Sequence, residues 1–263
     1  SAIEDIKESY QANSSKYEYY SSKNRLPQIF HYQRGEQWTL RPNQADAVKA
    51  FVNAVNNGRK NLLMYAVMRF GKSFTSLCCA LEISADIVLV VSAKADVKGE
   101  WKKTVEGAGN FSEYMFLEAY DLASNENAIK ASREENKKVV IFLTLQDLQG
   151  DAIKDKHKEL FKEQIDLLII DETHFGARAE SFGKILENAG YEKSDRSNIN
   201  KLDDENIDVN IAEEELKQIN ARIRLHLSGT PYRILMGSEF EKDDIISFVQ
   251  FSDIVKEQEE WDK

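Results

Sequence analysis

The chain has 263 residues, 42% hydrophobic and 30% charged, with a formal net charge of −10. That length suits one large domain, or one domain with appendages, and the composition reads as soluble and globular. A balance of 45 acidic against 35 basic residues argues against a dedicated nucleic-acid-binding domain, which carries a basic footprint. Any nucleic-acid contact must therefore be local, or shared with other parts of a larger protein. No apolar run reaches the length of a membrane span, and the polar, acidic N-terminus is not a signal peptide. The two cysteines, Cys78 and Cys79, are neighbours, so they offer neither a disulfide framework nor a metal cage. They read as small core residues in a reducing, cytoplasmic setting. The chain opens on Ser1-Ala2 and stops inside a helix-like run, Asp253–Lys263, which reads as a piece of a longer protein.

Residues 1–38, rich in Ser, Tyr, Lys and Asn, read as a leading helix and linker. The character changes at Leu40. Arg41-Pro42-Asn43-Gln44 opens a helix with Ala47, Val48, Phe51 and Val55 on one face, ended by Asn56-Asn57-Gly58. Strands and helices then alternate: strand Asn61–Ala66, helix Gly71–Glu82, strand Ile87–Ser92, and a helix near Asp96–Val105. Further strands are expected at Met115–Leu117, Val139–Leu145, Leu167–Asp171 and Arg222–Leu227. Unbroken Val, Ile and Leu runs such as IVLVVS mark strands buried on both faces, hence a parallel sheet between helices. The expected fold class is α/β, doubly wound. Its domain spans 39–240, with an acidic surface insertion at about 188–218 and a connecting segment at 241–263.

Two motifs carry chemistry. Ala66–Ser73 (AVMRFGKS) follows a strand and opens a helix, where backbone N–H groups and the helix dipole attract an anion. Lys72 would reach the β- and γ-phosphates of a nucleoside triphosphate, and the Ser73 hydroxyl would ligate Mg²⁺. Leu167–His174 (LLIIDETH) ends an apolar strand in two carboxylates, at the sheet edge where open α/β folds bind ligands. Asp171 would hold Mg²⁺ through water, and Glu172 would orient or deprotonate the water that attacks the γ-phosphate. The structural alternatives are a coincidental turn and a strand ending in solvated acids.

Asp-Glu-x-His and its surroundings resemble superfamily 2 helicases and translocases of the RecA-like P-loop class. The closer likeness is to the motor part of type I and type III restriction-enzyme R subunits and their DEAD/DEAH-box relatives. It covers roughly Leu40 to Ile234, with the motifs in the family's order. Leu40–Gln44 is similar to the glutamine motif, which implies that Gln44 reads the adenine. Ala66–Ser73 looks like motif I, and Asp171–His174 like motif II. The implied nucleotide-binding set is Arg41, Gln44, Met68, Arg69, Phe70, Gly71, Lys72, Ser73 and Phe74. Val88–Lys94 looks like motif Ia and Leu143–Gln146 like the following strand motif, which implies contacts from Ser92, Lys94 and Thr144 to a nucleic-acid backbone. Leu227–Pro231 is similar to motif III, which implies that Ser228, Thr230 and His174 couple hydrolysis to movement.

Two departures stand out. Arg69 occupies a position where most relatives have Gly, so either a left-handed residue there is strained or the loop takes another path. The acidic insertion also lengthens the gap between motifs II and III. The resemblance implies a second RecA-like domain that supplies an arginine finger, and nothing after Pro231 has the length for one. No nuclease cluster is visible in the first 40 residues. The resemblance implies ATP and Mg²⁺ as cofactors, with DNA, rather than RNA, and other subunits of a restriction-modification complex as partners. As an isolated piece the chain would be weakly active. Two hypotheses stand: the first motor domain of a DNA translocase, or a nucleotide-responsive interaction module. Trp38 and Tyr32 either stack on adenine or pack; Thr144 and Ser92 either touch nucleic acid or cap their strands.

Overall fold

The computed structural model describes residues 35–93, 95–124, 128–148, 160, 162–171, 216–229 and 240–261. In chain order these form α1 (Pro42–Asn56), β1 (Asn61–Ala66), α2 (Lys72–Glu82), β2 (Ile87–Ser92), α3 (Lys98–Gly107) and β3 (Tyr114–Glu118). Then follow α4 (Ala119–Ser124), α5 (Ala128–Glu134), β4 (Lys138–Thr144), β5 (Ile165–Asp171), β6 (Ala221–Ser228), β7 (Ile245–Val249) and α6 (Phe251–Trp261). The strands make one seven-stranded sheet in the order β3-β4-β2-β5-β6-β1-β7. Every pairing is parallel. The α/β fold class expected from the unbroken apolar runs is borne out.

Side chains of a strand alternate between faces, and here both faces are covered. Val88 and Val90, Val140 and Phe142, Leu167 and Ile169, and Leu225 and Leu227 join one core with Phe51 of α1, Leu77 of α2 and Trp101 of α3. Their neighbours Leu89 and Val91, Ile141 and Leu143, and Leu168 and Ile170 join the other, with Leu122 of α4 and Ile129 of α5. An IVLVVS run needs no polar position because neither face of the strand meets water.

The start of α1 is built from its own sequence. Arg41 is extended (φ −68°, ψ 159°) and Pro42 takes the first helical position, where a missing N–H costs nothing. The Gln44 side chain accepts a bond from Arg41 N at 2.9 Å, one half of a capping box. The buried face is Gln44, Ala47, Val48, Phe51 and Ala54; Val55, expected there, is only half-buried. Cys78 and Cys79 are free and buried on α2. Burial pushes both thiols up, Cys78 to about 12, which suits core residues.

Within 241–263, expected as a connecting segment, Ile245–Val249 extends the sheet. Strand β7 pairs with β1, with a register shift at Leu63/Met64. The Arg59 guanidinium holds its approach, pairing with Glu241 at 2.6 Å and Asp244 at 3.2 Å. Of the insertion at 188–218 only residues 216–218 are described, and they are helical. No helix among the described residues is long and apolar enough to cross a membrane.

His226, mid-way along β6, bonds Asn61 Oδ1 through Nε2 at 2.7 Å. Burial, helped by the nearby Arg224 charge, lowers its pKa to about 4. The folded state therefore holds a neutral ring, while the unfolded chain takes up a proton near the ordinary value of about 6.5. Stability is full above that value and falls as pH drops toward 4, by on the order of 3 kcal/mol. Melting followed from pH 7 to 4 should show a shallower decline for His226→Gln than for the wild type; parallel curves would refute this account.

Candidate nucleotide site

Parallel pairing brings the C-terminal ends of all the strands to one rim. Thr144 of β4 lies opposite Ser92 of β2, and Ser92 opposite Asp171 of β5. Ser228 of β6 lies beside Tyr65 of β1, two residues before the loop that leads to α2. Motifs far apart in the chain thus stand in one row.

The loop 67–71 turns sharply. Val67 N bonds Val249 O of β7 at 3.2 Å, and Phe70 N bonds Val67 O at 3.3 Å. Arg69 adopts φ 69° and Gly71 φ 85°, both left-handed. At Arg69 the expected strain is present, because a side chain in that region costs about 1–2 kcal/mol. Gly71 is required twice over: a Cβ there would lie 2.6 Å from Gln44 Nε2. Lys72 folds back so that Nζ donates to Ala66 O at 3.1 Å. Gly229 comes up against the same ammonium, with Nζ 3.8 Å from where its Cβ would be.

The loop is fastened from α1. Gln44, 5% exposed, donates through Nε2 to Phe70 O at 2.7 Å. Arg41 Nη2 donates to the same carbonyl and to Arg69 O at 3.3 Å. On the other side α3 joins the two expected metal ligands. Ser73 Oγ donates to Glu100 Oε1 at 2.9 Å, and Trp101 Nε1 donates to Asp171 Oδ2 at 3.2 Å. Consecutive residues of one helix thus bond both groups. Neither Glu100 nor Trp101 was singled out from sequence. The available signal was a tryptophan in the otherwise charged run KGEWKKTVEG, here buried to 1% exposure.

The remaining expected residues divide sharply. Met68 and Arg69 are exposed at the loop tip, while Phe70 and Phe74 are buried and meet the site only through backbone and packing. Trp38 packs its ring 5.5 Å from Phe74, and its backbone is tied to Asn110 by bonds of 2.7 and 3.0 Å. Ser92 and Ser228 are fully buried, so the Ser92 side chain, expected at a nucleic-acid face, lies inside the packing. Thr144 Oγ1 donates to Asp147 Oδ2 at 2.8 Å and accepts from Asp147 N, which caps the turn Gln146–Leu148. Lys94, Glu172, His174, Thr230 and Tyr32 lie outside the described residues.

The family model for the type III restriction enzyme, res subunit, matches residues 37–233, the stretch that carries all these motifs. The chain belongs to this family. Membership in this superfamily 2 family implies nucleotide binding. A Mycoplasma pneumoniae protein, described as the C-terminus of a type II restriction enzyme and methyltransferase, is 27% identical over 244 residues. That alignment takes in 83% of this chain but 32% of the relative, so the chain spans about a third of its length. Among solved structures, the ATP-dependent type ISP restriction-modification enzyme LlaBIII bound to DNA matches with a TM-score of 0.56 at 15% identity. It covers 90% of this chain and 17% of that one, which shows the shared RecA-like fold. A Sulfolobus solfataricus SWI2/SNF2 ATPase core in complex with double-stranded DNA matches with a TM-score of 0.47 at 15% identity, over 82% of this chain and 36% of that one.

The two left-handed glycines among the described residues offer a test of the loop. Gly58 (φ 81°) has nothing within 4 Å of a built Cβ, whereas Gly71 has the Gln44 amide. Gly58→Ala should cost only the backbone term of about 1–2 kcal/mol. Gly71→Ala should cost at least about 1 kcal/mol more, for displacing a buried hydrogen bond. Urea unfolding of the two variants measures the difference; equal losses would remove the Gly71–Gln44 contact from the argument.

Proposed function

We propose that the rim binds Mg·ATP and that this domain is the first motor domain of an ATP-dependent DNA translocase within a restriction-modification enzyme. One observation carries the reading. Lys72 opens α2 from a loop held in a left-handed turn, and Asp171 ends β5 on the same rim, with α3 bonded to both the Ser73 hydroxyl and the Asp171 carboxylate. The Lys72 ammonium lies against the carbonyl Ala66 O at the start of α2, where a cation would meet the β- and γ-phosphates. The first turn of α2 presents backbone N–H groups to an anion.

The donor set suits Mg²⁺, which prefers hard oxygen ligands in small number and keeps several waters. Ser73 would ligate it directly and Asp171 through water. The ion would supply charge neutralisation across the phosphate oxygens. Gln44 would read the adenine edge by exchanging a bond it now gives to Phe70 O. Glu172 would orient the attacking water, and His174, Ser228 and Thr230 would couple turnover to movement. Contact with a DNA backbone would fall to the turn after Ser92, which includes Lys94, and to Thr144. A second RecA-like domain would supply the arginine finger, and other subunits of the complex are the expected partners.

Titration calorimetry with Mg·ATP tests the core of this reading. The wild type should bind weakly, Lys72→Ala should not bind, and Glu172→Gln should bind as the wild type does. Without a second domain the transition-state charge lacks its cation, a contribution of roughly 10³-fold or more, so turnover by this chain alone should be slow. In the full-length protein Glu172→Gln should abolish hydrolysis. Equal ATP affinity in wild type and Lys72→Ala would sink the assignment.

An acidic surface should also bind DNA poorly on its own. The dissociation constant should be no better than about 10⁻⁴ to 10⁻⁶ M at physiological salt, the range of non-specific binding. Fluorescence anisotropy with a labelled duplex measures it, and nanomolar binding that survives added salt would contradict the proposed sharing of DNA contacts.

A further inference from the structure

The loop's fastening does not end at Arg41. Helix α6 is strongly acidic (FSDIVKEQEEW), yet Glu257 is 8% exposed. Its two carboxylate oxygens are divided between two tasks. Oε1 accepts from Asn43 N at 3.0 Å, the second residue of α1, whose N–H has no partner within its own helix. Oε2 pairs with Arg41 Nη1 at 3.5 Å. Arg41 in turn holds the carbonyls of Arg69 and Phe70. Ile254, three residues before Glu257, is partly buried against the core that contains Phe51 of α1, and so keeps this face of α6 turned inward.

The chain of contacts runs without a gap from α6 to the phosphate loop. A buried carboxylate is stable only while its donors are in place, and Asn43 N and Arg41 are two of them. Removing the carboxylate would free the first turn of α1, which carries Gln44. It would also leave the Arg41 guanidinium without its anion, beside a loop residue that is already strained. Arg69 at φ 69° has a ready alternative once the bond to its carbonyl weakens, because a non-glycine residue prefers to leave that region.

We propose that Glu257 is a positioning residue for the nucleotide site. Helix α6 sets the adenine-reading end through Asn43 and the phosphate loop through Arg41, so nucleotide affinity depends on α6 being docked. This rests on the reading of the rim as an ATP site. The two oxygens separate the two effects. Glu257→Gln keeps an acceptor for Asn43 N and removes the negative charge that faces Arg41, so the phosphate loop alone is loosened. Glu257→Ala loses both, and the turn that carries Gln44 loosens as well.

The test is binding of Mg·ATP and Mg·GTP to the 263-residue chain by titration calorimetry, alongside melting without nucleotide. Glu257→Gln should weaken ATP and GTP alike, about threefold, and keep the wild-type preference between them. Glu257→Ala should weaken ATP about tenfold and bring the ATP-to-GTP ratio toward one. Glu259→Gln, on an exposed position of the same helix, should match the wild type. A merely structural role would lower melting and scale both nucleotides together, leaving the ratio unchanged in Glu257→Ala, and that result would overturn the proposal. So would wild-type affinity in both Glu257 variants while Lys72→Ala fails to bind. Should Glu257→Ala not fold, the drop in affinity with Glu257→Gln decides. A wild type that ignores ATP would overturn the nucleotide reading, and this inference with it.

Discussion

Parallel strand pairing is the constraint from which the rest of this molecule follows. A parallel neighbour can be reached only by crossing back over the sheet, so each crossover lays a helix or a long loop on one face. Both faces are then covered, and the strands are selected for apolar side chains at every position. All seven strands also end at the same rim. That single geometric consequence places Thr144, Ser92, Asp171, Ser228 and Ala66 in one row, although 162 positions separate Ala66 from Ser228. The rim is where loops are free to vary without disturbing the core, so it is where chemistry can be built.

A second constraint acts on the loop itself. Two left-handed residues in three positions, one of them an arginine, form a turn that its own sequence does not stabilise. The turn persists because neighbouring elements over-determine it. Gln44 and Arg41 bind its carbonyls from α1, Val249 of β7 receives its first N–H, and the carbonyl of Ala66 receives the Lys72 ammonium. Fastening of this kind fixes the path of the loop into α2. It also ties the loop to other elements, since two of the fasteners have a second attachment. Arg41 is attached to α6 and Gln44 to the first turn of α1.

Much of the fold was legible in the sequence, because burial on both faces leaves a plain record. IVLVVS and LLIID could only be interior strands, and β1, β2, β4, β5 and β6 lie within two residues of their expected bounds. Strand β7 was not recognised. IISFV is short, contains a serine and sits at the edge of the sheet, where one side lacks a neighbour and the apolar demand is weaker. Lys72, Ser73, Asp171 and Gln44 could be singled out because their motifs are local and each follows or opens an element. Glu100 and Glu257 were not, because each is an acid in a charged helix with no local motif around it. What distinguishes them is the partner each helix orientation happens to face.

The sequence by itself therefore determined the layered α/β class, the loop between β1 and α2 and the acidic strand end, since periodicity and short motifs are properties of neighbouring residues. Arg69 shows the boundary between the two kinds of knowledge. Its place in the motif left two readings, a strained left-handed residue or another loop path, and only the folded chain shows φ 69° with the Arg41 and Gln44 bonds that hold the loop there. Tertiary structure alone decided that α3 bonds the Ser73 hydroxyl and the Asp171 carboxylate through consecutive residues, and that Glu257 reaches Asn43 across 214 positions. Such contacts depend on how helices rotate and settle on the sheet, and packing of their buried faces sets that rotation, which no local pattern encodes.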